Sequence, residues 1–171
     1  MTLVIADTGP LHYLVLIDAV DVLPQLYGRV MIPAAVRDEL THTNSPAAAK
    51  RWIGDLPQWC EIRSAASVPV AAGLGPGEAE AIALAQEVGA DLILLDDRAA
   101  RAEALRRGLL IAGTIGVLAD AANHDLIDLP KAFERLSRTP FYVDPKLLDG
   151  LLAQDSQRKA RRGTKPKDTD S

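Results

Sequence analysis

The sequence predicts an α/β chain of three layers, α/β/α, around a central and mostly parallel sheet. Two short runs, residues 3–6 (Leu-Val-Ile-Ala) and 92–95 (Leu-Ile-Leu-Leu), are apolar without alternation, as strands covered on both faces are. Stretches of helical periodicity separate each candidate strand from the next, and strands that alternate with helices form parallel sheets. At 171 residues the chain suits a single core rather than two domains of ordinary size.

The elements are expected in the following order. Residues 3–6 form the first strand, and residues 11–27 are helical with a break near Pro24. Residues 29–32 form a second strand. Pro33 then stands where the first turn of a helix tolerates proline, and residues 34–41 continue that helix. A helix over 46–53 leads to a short strand over 61–63, and residues 64–77, rich in Gly, Pro and Ala, form a loop. The second half is clearer: helix 78–88, buried strand 92–95, helix 98–107 ended by Gly108, and strand 109–112. Thr114 is read as the N-cap of a helix running to about Asn123. Two further helices, over 130–137 and 145–152, complete a body that spans residues 1–153.

Composition excludes several classes. Aromatic residues are only 4% of the chain, so a sheet of exposed rings that stacks bases is not supported. Cys60 is the only cysteine, and His12, His42 and His124 are scattered, which argues against a disulfide or a soft-metal centre. A hard cation held by oxygens is still open. The first residues lack a basic segment followed by an apolar stretch and a cleavage site, and no apolar run approaches a membrane span, so a cytoplasmic protein without membrane contact is expected. Residues 154–171 hold six Lys/Arg against three Asp, which leaves 13 basic and 20 acidic residues in the body, a net charge of −7. Such a body does not bind nucleic acid by bulk charge. The tail is polar and is expected to be a disordered, solvated end rather than a binding arm.

Acids recur where an α/β sheet places its sites, at the carboxyl ends of strands. Asp7 ends the first buried run and Asp96-Asp97 end the fourth; Glu78 and Glu80 open the helix that leads into it. Each has an ordinary structural reading. Asp7 can make a turn with Gly9, Glu39 can be a solvated helix residue, Glu78 and Glu80 suit the positive end of a helix, and Asp96 or Asp97 can cap the helix at Arg98. The joint pattern asks for more, because strand order brings Asp7 near the Asp pair. Two carboxylates ~4 Å apart repel by ~4 kcal/mol at an effective dielectric of about 20. Either bound protons or a divalent cation must offset that repulsion. Oxygen donors without His or Cys suit Mg2+ or Mn2+.

Five segments resemble the PIN domain of the VapC-like ribonuclease toxins, in a prokaryotic subgroup usually described only as a domain of unknown function. They are IADTGPL (5–11), IPAAVRDEL (32–40), GPGEAEAIALA (75–85), LILLDDRAAR (92–101) and GTIGVL (113–118), and the likeness covers about residues 3–152. The resemblance implies a PIN-like fold and a metal-dependent endoribonuclease that hydrolyses RNA, the toxin of a toxin-antitoxin pair. By motif, the four acids that bind Mg2+ or Mn2+ correspond to Asp7, Glu39, Glu78 and Asp97, with Thr8 helping to hold the metal. Many relatives have Thr-x-Asp at the last position; here Leu95, Asp96 and Asp97 stand there, so Asp96 joins the candidate ligands. Glu78 replaces an Asp common in the family. The resemblance also implies a homodimer, a small antitoxin protein as partner, and single-stranded or structured RNA as substrate. Such chemistry needs an activated water, charge neutralisation on the phosphate and a stabilised leaving oxygen, all within reach of one or two divalent ions. The carboxylates would place metal and water, one of them accepting a proton. Arg98 and Arg101, three residues apart on one helix face, are candidates for phosphate contact, although pairing with surface acids is the plainer reading.

Rival readings are weaker. Asp-Thr-Gly is also an aspartic-protease signature, but that chemistry takes two facing carboxylates on a β framework, and this chain has one such trio. The glycines at 73, 75 and 77 lack both a Walker lysine and dinucleotide-binding spacing. A phosphatase with a nucleophilic Asp would want a second acid where Gly9 stands. The chief alternative is a non-catalytic PIN-fold module that binds nucleic acid or a protein partner; the presence of all four acids argues against it.

Overall fold

A computed structural model describes residues 2–163. Its sheet has five strands in the order β3-β2-β1-β4-β5, and every pairing is parallel. The strands are β1 (Thr2–Ala6), β2 (Gly28–Pro33), β3 (Cys60–Arg63), β4 (Leu92–Leu94) and β5 (Ile111–Ala112). Helices α1 (Thr8–Leu16), α2 (Val22–Leu26), α3 (Ala34–Thr41) and α4 (Ala47–Gly54) connect the first three strands. Helix α5 (Pro76–Val88) leads to β4, α6 (Arg98–Arg106) to β5, and α7 (Thr114–Asn123), α8 (Leu129–Ser137) and α9 (Pro145–Gly163) follow.

The absence of alternation in the strands has its cause in the two cores. Val4, Ala6, Val30, Ile32 and Leu94 face one side, packed with α1, α2, α3, α4, α7 and α8 through residues such as Leu11, Leu23, Val36, Ile53, Leu118 and Phe133. Ile5, Met31, Ile93 and Leu95 face the other, under α5 and α6 through Ile82, Leu84, Ala100 and Ala104. Successive side chains point to opposite faces, so a strand covered on both must be apolar at every position. Burying a residue such as Ile5 or Leu94 contributes about 1.5–3 kcal/mol.

Several boundaries differ from expectation for local reasons. The break in the first helical stretch falls at residues 17–21, where Asp18 takes a left-handed backbone (φ 60°), and not at Pro24. Pro24 sits in the first turn of α2, where a missing N–H is no loss. β5 covers only Ile111–Ala112, since at the sheet edge it has one partner, β4, and Leu110 is exposed. Helix α9 runs eleven residues beyond its expected end at Leu152. Asp155 is ion-paired with Arg158 and Lys159, and Asp125 with Arg158 and Arg162, so residues 154–163 are an ordered helix docked on the body rather than a disordered tail. The remainder of that tail, residues 164–171, lies outside the described residues. Among the described residues no helix is long and apolar enough to cross a membrane.

This topology fixes the position of a site. From β1 the chain goes to β2 and β3 on one side and later to β4 and β5 on the other. The connections leaving the carboxyl ends of β1 and β4 therefore diverge, and the crevice between them is where open α/β sheets bind ligands.

Candidate active site

Asp7 occupies that crevice. It follows the last residue of β1, and its backbone N–H donates to the Leu94 carbonyl of β4 at 3.1 Å, which holds it against the end of the neighbouring strand. Although Asp7 stands at the N-cap of α1, its side chain makes no capping hydrogen bond, so the turn reading fails. It is 4% exposed, and its Oδ1 has no hydrogen-bond partner. Burial pushes the carboxyl up to about 7; the Thr8 backbone N–H opposes this, and the charges of Glu78, Glu39 and Asp96 add to it.

Glu39 comes from α3 and is half-buried rather than solvated. Its Oε2 accepts from the Thr8 hydroxyl, and its Oε1 accepts the Gly77 backbone N–H at 2.9 Å. A side chain at Gly77 would put its Cβ 2.5 Å from Glu39 Oε2, so glycine is what lets the first turn of α5 come so close. Glu78, also in that first turn, reaches back to the Gly75 N–H at 3.0 Å. It caps its own helix, yet burial raises its pKa, with the Gly75 bond opposing and the charges of Asp97 and Glu39 reinforcing the rise. Glu80, on the same helix, accepts from the Ala35 N–H at 3.4 Å and ties α5 to α3.

The Asp96-Asp97 pair divides its work. Asp97 is the N-cap of α6, its Oδ2 accepting from the Ala100 N–H at 2.9 Å. Asp96 lies nearer Asp7: a methyl placed on Gly9 would stand 3.4 Å from Asp96 Oδ2. Both Asp96 oxygens are held by Thr114, Oδ1 by its backbone N–H at 2.7 Å and Oδ2 by its hydroxyl at 2.6 Å. Burial still leaves this carboxyl above its ordinary value, against the lowering effects of Thr114 and Arg101. The expected N-cap role of Thr114 is corrected here: Gly113 is the N-cap of α7, and Thr114 instead clamps Asp96. Sequence reasoning missed that role because Thr114 lies 18 residues from Asp96 and only the pairing of β4 with β5 joins them. Arg101 donates to the Leu95 carbonyl at 2.8 Å, beside Asp96, instead of pairing with a surface acid.

Five carboxylates thus share one electrostatic neighbourhood at the end of the sheet, and no lysine or arginine forms an ion pair with any of them among the described residues. They are not drawn into a finished ligand shell: among the described residues no group of three or more His, Cys, Asp or Glu is arranged to hold a metal ion. Glu39, Glu78, Asp96 and Asp97 are turned to backbone or hydroxyl donors. The donor chemistry nevertheless fits a hard cation, since every candidate ligand is an oxygen and the buried Asp7 Oδ1 lacks a partner. Of the residues the sequence singles out, Asp7, Thr8, Glu39, Glu78, Asp96 and Asp97 all lie around this crevice.

A family model described as a PIN domain matches residues 3–157, and the chain belongs to that family. No curated protein matches it. PIN domains are generally nucleases that use divalent metals.

Proposed function

We propose, with PIN-domain membership as the premise, that the protein is a Mg2+- or Mn2+-dependent endoribonuclease that hydrolyses RNA phosphodiester bonds. One observation carries the reading: a nearly inaccessible Asp7, one oxygen unsatisfied, surrounded by acids from three other elements and with no cation among the influences on its own carboxyl. Leaving such a group uncompensated is costly, and stable folds keep such groups where they are used.

Asp7, Asp96 and Asp97 would hold the ion, with Glu39 and Glu78 completing the oxygen set. A bound divalent ion supplies charge neutralisation at the phosphate and a water acidic enough to react near neutral pH. Thr8 and the Gly77 N–H keep Glu39 in place, and Thr114 does the same for Asp96, so ligands are oriented before RNA arrives. Glu78, its pKa raised by burial and by the neighbouring charges of Asp97 and Glu39, suits acceptance of the proton from the attacking water. As that water's oxygen bonds to phosphorus, the bond to the leaving oxygen breaks and that oxygen takes up a proton from solvent.

The test is cleavage of single-stranded RNA by the purified full chain with Mg2+. Asp7→Asn should lower the rate by about 100-fold or more while the protein still unfolds in one cooperative thermal transition, and chelation should abolish cleavage. A folded, metal-loaded protein that cuts no RNA would instead identify a non-catalytic nucleic-acid- or protein-binding module. The toxin role, a homodimer and a small antitoxin partner belong to the same proposal. Growth arrest on expression, relieved by co-expression of an adjacent small protein, tests the first and last, and sedimentation tests the second.

A further inference from the structure

A groove of about 550 Å3 starts at Asp96 and Arg101 and runs away from the crevice along α7 to the segment before α9. Its near end is the carboxylate site itself, because Asp96 borders both. Gly113 and Gly116 form a stretch of wall without bulky side chains. At Gly113 a Cβ would stand 2.8 Å from Asp96 Oδ1 and 2.9 Å from Arg101 Nη1, so the backbone there is as close to both groups as it can be. Phe141 and Tyr142 form another part of its rim. Tyr142 is 86% exposed, whereas every other Phe, Trp and Tyr among the described residues is buried or half-buried. Phe141 is anchored edge-on against Tyr13, which fixes the rim.

We propose that this groove is a base-binding subsite for the RNA nucleotide next to the scissile phosphate, with Tyr142 as the stacking ring and Arg101 as the phosphate contact. The inference rests on the nuclease reading above. Continuity with the acidic crevice favours a nucleobase over a protein helix, since whatever fills the groove ends against Asp96. The lining carries two acids, Asp96 and Asp144, and one cation, Arg101. In a site crowded with carboxylates, a nucleic-acid backbone needs a cation at the point of entry, and Arg101 stands there with one N–H spent on the Leu95 carbonyl. A guanidinium pinned in this way presents its other donors in a fixed fork, which suits a phosphate. A base then needs a flat apolar slot and an exposed ring, which the glycine-lined wall and Tyr142 offer. Stacking of this kind tolerates any base, so the subsite contributes affinity and position rather than a strict sequence.

Steady-state cleavage of a fluorescein-labelled single-stranded oligoribonucleotide by the full chain with Mg2+ tests the idea. Tyr142→Ala should raise KM by about 5- to 100-fold with kcat little changed, and Tyr142→Phe, which keeps the ring, should restore the affinity. An abasic nucleotide stepped along the strand should reproduce that loss at one position in the wild type, and at that position it should add nothing in Tyr142→Ala. Tyr142 is exposed and packs little of the core, so its loss should leave the fold intact, and an unchanged melting temperature checks this. If the wild type cuts no RNA, the nuclease reading and the subsite fall together. If the wild type cuts and Tyr142→Ala matches it, or loses affinity equally at every abasic position, the subsite alone is overturned. A seat for a protein partner or a second copy would give that same unchanged KM, with sedimentation altered by the substitution.

Discussion

Two aspartates in this protein are equally shut off from solvent, Asp7 deep at the end of the sheet and Asp155 under its own ion-pair partners on α9, and they behave in opposite ways. Asp7 is 4% exposed and Asp155 is 5% exposed. At both, burial is the largest influence and pushes the carboxyl upward. On α9, however, Lys159 and Arg158 outweigh it through hydrogen bonds and charge, and Asp155 titrates below its ordinary value. In the crevice the neighbours are other acids, and Asp7 rises to about 7. Low solvent exposure alone does not separate a structural acid from a functional one; the depth of the site and the sign of the charges around it do. Asp155 holds a helix to the body, whereas Asp7 is left wanting a cation.

The largest effect that would test this contrast is at Asp7. Its folded pKa lies above the unfolded value, so the unfolded chain loses its proton first, and stability falls as pH rises from about 4 through about 7. Asp7→Asn should therefore raise unfolding free energy by up to about 4 kcal/mol above pH 7, with the gain vanishing below pH 4. Denaturant titrations across pH would show it, and a loss of stability at high pH would break the comparison. Loss of cleavage alongside a gain in stability is the expected signature of a functional site.

Next in size is the response to metal. Mg2+ should stabilise the wild type by RT ln(1 + [L]/Kd), about 2.7 kcal/mol at a hundredfold excess over Kd. The effect should be larger above pH 7 than at pH 5, since the ion competes with the proton on Asp7. Thermal unfolding with and without Mg2+ measures it, and Asp7→Asn should remove most of it. A shift equal in both proteins would place the ion elsewhere.

Asp155→Ala should cost about 1–3 kcal/mol, because Arg158 and Lys159 lose a charged acceptor. Here the sign is reversed: the lowered pKa contributes stability above the unfolded value near 4, and it is lost as pH falls through the folded value. Hydrogen exchange in α9 would report the detachment, and RNA cleavage should change little. The smallest stability effect is expected at Gly77. Gly77→Ala should alter unfolding free energy by no more than about 1 kcal/mol, as gained helix propensity offsets crowding, but it should displace Glu39 and lower cleavage. Rates unchanged by that substitution would show that Glu39 need not stay in place.

Much of this architecture was legible in the chain. Residues 3–6 and 92–95 read as doubly covered strands because neither face carries a polar residue, and both are central in the sheet. The match to a PIN domain over residues 3–157 agrees with the motifs that first suggested it. Less legible were features decided by contacts distant in sequence. The ion pairs of α9 engage Asp125, 33 and 37 residues away from Arg158 and Arg162, so composition alone read residues 154–163 as a disordered end. Thr114 looked like a helix cap because local pattern cannot reveal a carboxylate waiting across the strand gap.

The sequence by itself determined the fold class, the layers and the identity of the acids, because hydrophobic periodicity and residue chemistry are properties of the chain read locally. Tertiary structure alone decided which acid went to which task. Asp97 caps α6, Asp96 is clamped by Thr114, and Asp7 stands buried with an unsatisfied oxygen. Those roles depend on burial and on charges brought close by parallel strand pairing, and electrostatic energy is set by distance in space rather than along the chain.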